Sequence, residues 1–270
     1  MADPARSFNR SAAKTWAGRM VQALGNLLWP PVCAACPRAL PLRPDPQDPS
    51  AHFCPQCLET VEMMTAAVCP VCGRPFYNSE GHVCGDCLAD PPLYDRARSA
   101  AVYHGGVSRS IALLKYGGEL HQARALAALA GRTLIAALPP EDGEGAVNYD
   151  LILPLPISTR RLAERGFNQA AELARAIYRP WTSLIDERAL IRTGGEIHQA
   201  ALSGKKRRQA IRGCFQVPDP GRVRAARILL FDDVLTTGAT AGEATAALLA
   251  AGARRVDLAT IARTVLVSWR

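Results

Sequence analysis

The stretch ILLFDDVLTTGAT at residues 228–240 places an apolar run, two adjacent carboxylates and a Thr/Gly-rich turn directly before a helical pattern. Each part has a chemical use. Backbone N–H groups at a helix start form a cradle for anions, and the hydroxyls of Thr236, Thr237 and Thr240 add donors. Gly238 lets the main chain approach a ligand closely, and Ala239 follows it in the Thr-Thr-Gly-Ala-Thr turn. Asp232 and Asp233 would repel a phosphate, so they suit sugar hydroxyls or a nearby magnesium ion. A phosphate at one end and a diol at the other describe a ribose phosphate.

A second chemistry lies upstream. Eight of the nine cysteines form four C-x-x-C pairs, Cys33/Cys36, Cys54/Cys57, Cys69/Cys72 and Cys84/Cys87, and Cys214 stands apart. Two intervening residues let a tight turn aim both sulfurs at one ion, and two such knuckles complete a tetrahedron of ligands about 2.3 Å from zinc. The segment repeats itself, VCAACPR with HFCPQCLE and then VCPVCGR with HVCGDCLA, so two sequential four-cysteine zinc sites are expected. A cross-braced pairing is the alternative, and disulfides would need an oxidising compartment. With four cysteines per site no position is left for water, which makes the zinc structural. His52 and His82 precede the second knuckle of each repeat and read as packing or outer hydrogen-bond partners.

These groups need elements to hold them. Beyond the proline-rich boundary at 90–92, strand-length apolar runs at Ser99–Tyr103, Leu151–Leu155, Leu184–Ile191, Arg227–Phe231 and Arg255–Ile261 alternate with helical patterns. The helices are expected at Ser108–Lys115, Gln122–Ala137, Leu162–Tyr178, Lys205–Ile211 and Ala241–Ala251. Such alternation predicts an α/β fold with a mainly parallel sheet covered on both faces. Ligands then bind beyond the carboxyl ends of the strands, in the turns after Leu155, Ile191 and Phe231. The domain plan is a helical segment over 1–29, a zinc module over 30–90 and the α/β domain over 91–270, with a surface loop at 139–149.

The formal net charge of +8 falls to about +4 once two sites with four thiolates per zinc are counted, leaving a weakly basic protein. No run of 18 apolar residues occurs, so no transmembrane helix is expected. Residues 4–32 hold Arg6, Arg10, Lys14 and Arg19 without an acid, beside an apolar stripe of Trp16, Met20, Leu24, Leu27 and Leu28. A helix docking onto the fold fits this pattern, as would a transit peptide or a membrane-surface helix. A secretory signal is not expected, and the location is read as cytoplasmic.

The stretch 228–240 resembles the motif by which type I phosphoribosyltransferases bind 5-phosphoribosyl 1-diphosphate (PRPP). Adding KYGG at 115–118, LPLPISTRRLAERGFNQAAELA at 153–174 and HQAALSGKKRRQAIRGCFQV at 198–217, the chain beyond residue 26 is similar to the ComF family, a double zinc ribbon followed by a phosphoribosyltransferase-like domain. The resemblance implies that Asp232 and Asp233 take the ribose and that Thr236–Thr240 take the 5-phosphate. It implies a pyrophosphate loop at Ile157, Ser158, Thr159 and Arg160, with Arg161 and Arg165 nearby. It also implies a hood around Arg192–Arg208, where Gly194, Gly195 and Gly204 suit movement and Lys205, Lys206, Arg207 and Arg208 suit a diphosphate. Asp232, Asp233 and Arg160 are then the catalytic candidates, with magnesium accompanying PRPP, and the acceptor is not identified. A non-catalytic adaptor binding single-stranded DNA or a competence protein is the rival reading.

Overall fold

The computed structural model describes residues 30–41, 45–64, 67–76, 80–138, 147–194 and 213–265. The N-terminal segment 1–29, the expected helix Lys205–Ile211, the basic run Lys205–Arg208 and most of the 139–149 loop lie outside the described residues.

The elements are α1 Pro55–Glu59, α2 Gly85–Ala89, β1 Arg96–Val102, α3 Gly105–Gly117, α4 His121–Ala137, β2 Leu151–Pro154, α5 Thr159–Arg165, α6 Gln169–Ile177, β3 Ile191–Arg192, β4 Phe215–Gln216, β5 Arg227–Leu235, α7 Ala239–Ala250 and β6 Arg255–Arg263. Four strands form one sheet in the order β1-β6-β5-β2, every neighbour parallel. The expected α/β architecture is present. Side chains alternate across β5. Leu229 and Phe231 pack with α3, α4 and α6, whereas Ile228 and Leu230 pack with α7 and the short β3/β4 pair. This two-sided burial is why the strands read as continuous apolar runs.

Two expected elements differ. The strand foreseen at Leu184–Ile191 is a 3-10 turn, Arg179–Leu184, then a single bridge from Ile185 to Ile152, and finally β3 pairing antiparallel with β4. The carboxylate of Asp186 accepts from the N–H groups of Arg188 at 2.8 Å and Ala189 at 3.1 Å, a local turn that competes with extended pairing. The single helix foreseen at Leu162–Tyr178 is broken into α5 and α6. Gly166 ends α5 in the left-handed region at φ 79°. Asn168 then starts α6 by accepting from the Ala170 N–H at 3.0 Å.

The cysteine-rich segment is fastened to this sheet. The N–H of Val102 donates to the carbonyl of Glu62, that of Met64 to Ala100, and that of Ala97 to Val71. Among the described residues no helix is long and apolar enough to cross a membrane.

Among the described residues the most deeply buried ionisable side chain sits in the sheet itself. Asp257 on β6 is fully buried and is met by Arg96 Nε at 2.7 Å, Arg255 Nε at 3.1 Å and the Tyr149 hydroxyl at 2.7 Å. The Tyr149 phenol is held well above its usual range by burial and by its bond to Asp257. Removing the acid takes a charged partner from Arg96 and Arg255, both partly exposed. Asp257→Ala is expected to lower unfolding free energy by about 1.5–3 kcal/mol. Urea denaturation reads this directly, and a loss below about 1 kcal/mol would refute it.

Candidate functional site

All four strands of the main sheet run the same way, so their carboxyl ends meet at one edge and the loops leaving β1, β2 and β5 converge there. They enclose a cleft of about 230 Å³ lined by Tyr103 after β1, Leu155–Ile157 after β2 and Asp232, Asp233, Thr236 and Thr240 along and after β5. Lys115, Arg161, Gln169 and Arg192 complete it.

β5 runs on past Phe231 and carries both acids. Because side chains alternate, Asp233 shares the Phe231 face, which α3 covers. There the Lys115 ammonium, in the last turn of α3, lies 2.6 Å from Asp233 Oδ2. Burial works against the Lys115 charge, but the neighbouring Asp233 carboxylate prevails and its pKa is raised. The Asp233 N–H donates to Asp232 Oδ1 at 2.8 Å. Burial, followed by the adjacent charge of Asp233, pushes the Asp232 carboxyl far above its usual range, to about 8. One lysine thus serves two acids. Lys115 has no assigned role in the sequence reading; KYGG was the signal that could have found it.

After β5 the chain turns at Gly238, whose φ of 75° is left-handed, and α7 begins at Ala239. A Cβ on Gly238 would come 3.3 Å from the Tyr94 hydroxyl, so the turn is both conformationally and sterically tied to glycine. Thr236 and Thr240 face the cleft, whereas Thr237 Oγ1 accepts from the Ala239 N–H at 3.4 Å and secures the turn. Thr237, Gly238 and Ala239 shape the loop without being among the cleft-lining residues.

The loop after β2 divides likewise. Ile157 lines the cleft, while Ser158 starts α5 by accepting from the Arg161 N–H at 3.4 Å and Thr159 is the first residue of that helix. Arg160 is half-exposed and lies 3.5 Å from Glu164, so it is Arg161 that lines the cleft. The RGFNQ segment explains itself locally. Asn168 Nδ2 donates to the Leu155 carbonyl at 3.1 Å, and Arg165 Nη1 donates to Gln169 Oε1 at 2.8 Å. The break at Gly166 therefore locks the β2 loop to the start of α6 and leaves buried Gln169 against the cleft.

The cysteines group as the sequential reading requires. Cys33, Cys36, Cys54 and Cys57 form one set, and Cys69, Cys72, Cys84 and Cys87 the other; within each set all sulfurs lie within 4.8 Å of one another. The two sets match in detail. Cys33 N–H donates to the Arg38 carbonyl and Cys69 N–H to that of Arg74, both at 2.8 Å. Cys54 N–H donates to Cys33 Sγ at 3.3 Å and Cys84 N–H to Cys69 Sγ at 3.4 Å. Against burial, the Cys84, Cys72 and Val71 N–H groups bring Cys69 down to about 6, while burial and neighbouring sulfurs push Cys87 up. Four sulfurs this close, all buried but that of half-buried Cys36, are the donor set of a structural zinc. His52 bonds the Pro46 carbonyl at 2.8 Å and His82 stacks on Phe76, so neither belongs to a set. Cys214 is buried in the core beside β4.

A family model described as a double zinc ribbon domain matches residues 24–88. DNA utilization protein YhgH of Escherichia coli O157:H7 is 32% identical over 251 residues, 93% of this chain and 96% of that protein. The chain belongs to the ComF/YhgH family. Competence protein ComFC of Bacillus subtilis (strain 168) is 29% identical over 210 residues, covering 76% of this ComF/YhgH chain and 80% of its own. A solved structure of the B. subtilis glutamine PRPP amidotransferase, complexed with ADP and GMP, aligns over 66% of this chain and 30% of its own, with 19% identity and a TM-score of 0.28.

Two measurements follow. Purified protein should carry about two zinc ions, Cys72→Ser about one, and Cys214→Ser still two; elemental analysis finding less than one in the wild type would contradict the assignment. The raised Asp232 pKa means that the folded state holds this proton more tightly than the unfolded chain. Its contribution to stability is therefore full below about pH 4 and is lost as pH rises through about 8. Urea midpoints between pH 5 and 8.5 should fall more steeply for the wild type than for Asp232→Asn; parallel profiles would show that Asp232 is not the titrating group.

Proposed function

We propose that this ComF/YhgH protein binds PRPP in the cleft at the end of β5 and transfers its phosphoribosyl group to an acceptor, releasing pyrophosphate. The supporting observation is convergence. Two carboxylates, two threonine hydroxyls, a helix start and the cations Lys115, Arg161 and Arg192 meet around one cleft. That is a charge pattern for a ligand with a phosphate, a diol and a diphosphate.

On this reading Thr236 and Thr240 hydroxyls, with the N–H groups opening α7, hold the 5-phosphate. Asp232 and Asp233 receive ribose hydroxyls, and Lys115 keeps Asp233 oriented. Arg161 and Arg192 face the diphosphate, with Ser158, Thr159 and Arg160 shaping the loop that carries Arg161. Magnesium travelling with PRPP supplies neutralising charge at the diphosphate. The acceptor's lone pair forms the new bond at the anomeric carbon while the bond to diphosphate oxygen breaks and its electron pair leaves with pyrophosphate. Positioning and charge carry the step, and no covalent protein nucleophile is needed.

Residues 30–90 then form the zinc module and 91–270 the phosphoribosyltransferase-like domain. The names of the YhgH and ComFC relatives point to DNA utilisation and competence, and we carry that setting to this chain. Single-stranded DNA or a competence protein is the corresponding partner.

Calorimetry with PRPP and magnesium tests the assignment. Wild-type protein should bind. Thr240→Val should weaken PRPP and ribose 5-phosphate alike by roughly ten- to a hundredfold, the loss of a hydroxyl donor to a charged group worth about 1.5–3 kcal/mol. Replacing Asp232 and Asp233 together by Asn should weaken PRPP while inorganic phosphate still binds. Absence of any heat with millimolar PRPP would remove the proposal, and pyrophosphate release across a panel of acceptors would identify the acceptor.

A further inference from the structure

Arg263 closes β6 and is the one arginine among the described residues that is buried, at 7% exposed. None of the described carboxylates pairs with it. Its Nη1 donates to the carbonyl of Cys72 at 2.5 Å, inside the second cysteine set, and its charge is felt at the Cys72 sulfur. A buried guanidinium without a counter-ion is strongly unfavourable. Four thiolates around a divalent cation carry two net negative charges, so a zinc-loaded second set would supply a counter-charge that no described carboxylate gives.

The backbone of Arg263 is tied to residues next to the cleft. Its backbone pairs in register with Leu235, the last residue before Thr236. The Thr264 N–H donates to the Leu235 carbonyl at 3.0 Å, and the N–H of cleft-lining Tyr103 donates to the Arg263 carbonyl at 2.7 Å. The hydroxyl of buried Tyr94 abuts Gly238 at the turn. The first set connects elsewhere. Thr60 Oγ1 donates to the Cys57 carbonyl at 2.7 Å and accepts from the Gly106 N–H at 2.8 Å, at the start of α3.

We propose that Arg263 is a positioning residue joining the second zinc–thiolate set to the phosphate loop, so that metal in this set holds Thr236–Thr240 in their anion-binding shape. This rests on the reading of that loop as a phosphate site. Zinc here does more than keep a ribbon folded: it neutralises the cation on which the end of β5 is braced.

The test uses full-length, zinc-loaded protein and three readouts: zinc release to a colorimetric chelator, binding of inorganic phosphate and PRPP by calorimetry, and the far-ultraviolet spectrum. Arg263→Met should speed release of one of the two zinc ions by about tenfold or more and weaken phosphate by at least about tenfold. Arg263→Lys, which keeps the charge, should recover much of both. If Arg263→Met does not fold, Cys87→Ser replaces it; that variant should retain one zinc and a near-native spectrum while losing phosphate affinity. A wild type that binds phosphate together with an Arg263→Met or Cys87→Ser protein that binds it equally well overturns this proposal alone. A wild type that binds neither phosphate nor PRPP removes the phosphate-site reading, and the link from Arg263 to the loop falls with it.

Discussion

Two carboxylates side by side at the end of a buried strand cannot both keep their charge without a cation. In this fold Lys115 supplies it. The ion pair with Asp233 reaches from α3 to β5 and crosses between two elements that otherwise touch through apolar side chains. It orients Asp233 and works against burial and the Asp233 charge, which push the Asp232 carboxyl up to about 8. The whole cleft is arranged around that inequality. The threonines at the start of α7 and the cations Lys115, Arg161 and Arg192 line the same cleft as the acid pair.

The cysteine modules are braces for the same region. Gly105 and Gly106, which open α3, lie so close to Thr60 and Cys57 that a Cβ on either would approach within 2.8 Å of their oxygens. Gly73 meets the carbonyl of Ala97 on β1 in the same way. Glycine at these points lets the first module seat the helix that bears Lys115 and the second seat the edge strand of the sheet. The ribbons and the cleft share one framework, although their chemistries are unrelated.

Much of this was legible in the residues. The C-x-x-C spacing and the internal repeat gave the sequential cysteine sets because metal ligation is a local geometric demand. Alternating apolar runs gave the parallel sheet because both of its faces are buried. What escaped depends on contacts that spacing does not encode. The break at Gly166 looks like one helix because its apolar periodicity continues across the junction. The Asp186 turn hides inside an apolar run. Lys115 lies over a hundred residues from Asp233, and only the packing of α3 on β5 brings them together. Arg161 rather than Arg160 lines the cleft because the helical phase of α5, set by its start at Ser158, decides which neighbour turns inward.

Strand order carries a consequence for how the chain is made. β6, last of the described strands to leave the ribosome, is inserted between β1 and β5, and among the described strands β1 pairs with β6 alone. Until Arg255–Arg263 has emerged, β1 with the cysteine modules fastened to it has no sheet to join, while β2 and β5 can already pair. Before that point α3, α4 and α6 are what hold the β1 side of the molecule to the β2–β5 side, through the apolar core and the Lys115–Asp233 pair. A premature stop before Arg255 would leave β1 and β5 each exposing the flank that β6 covers.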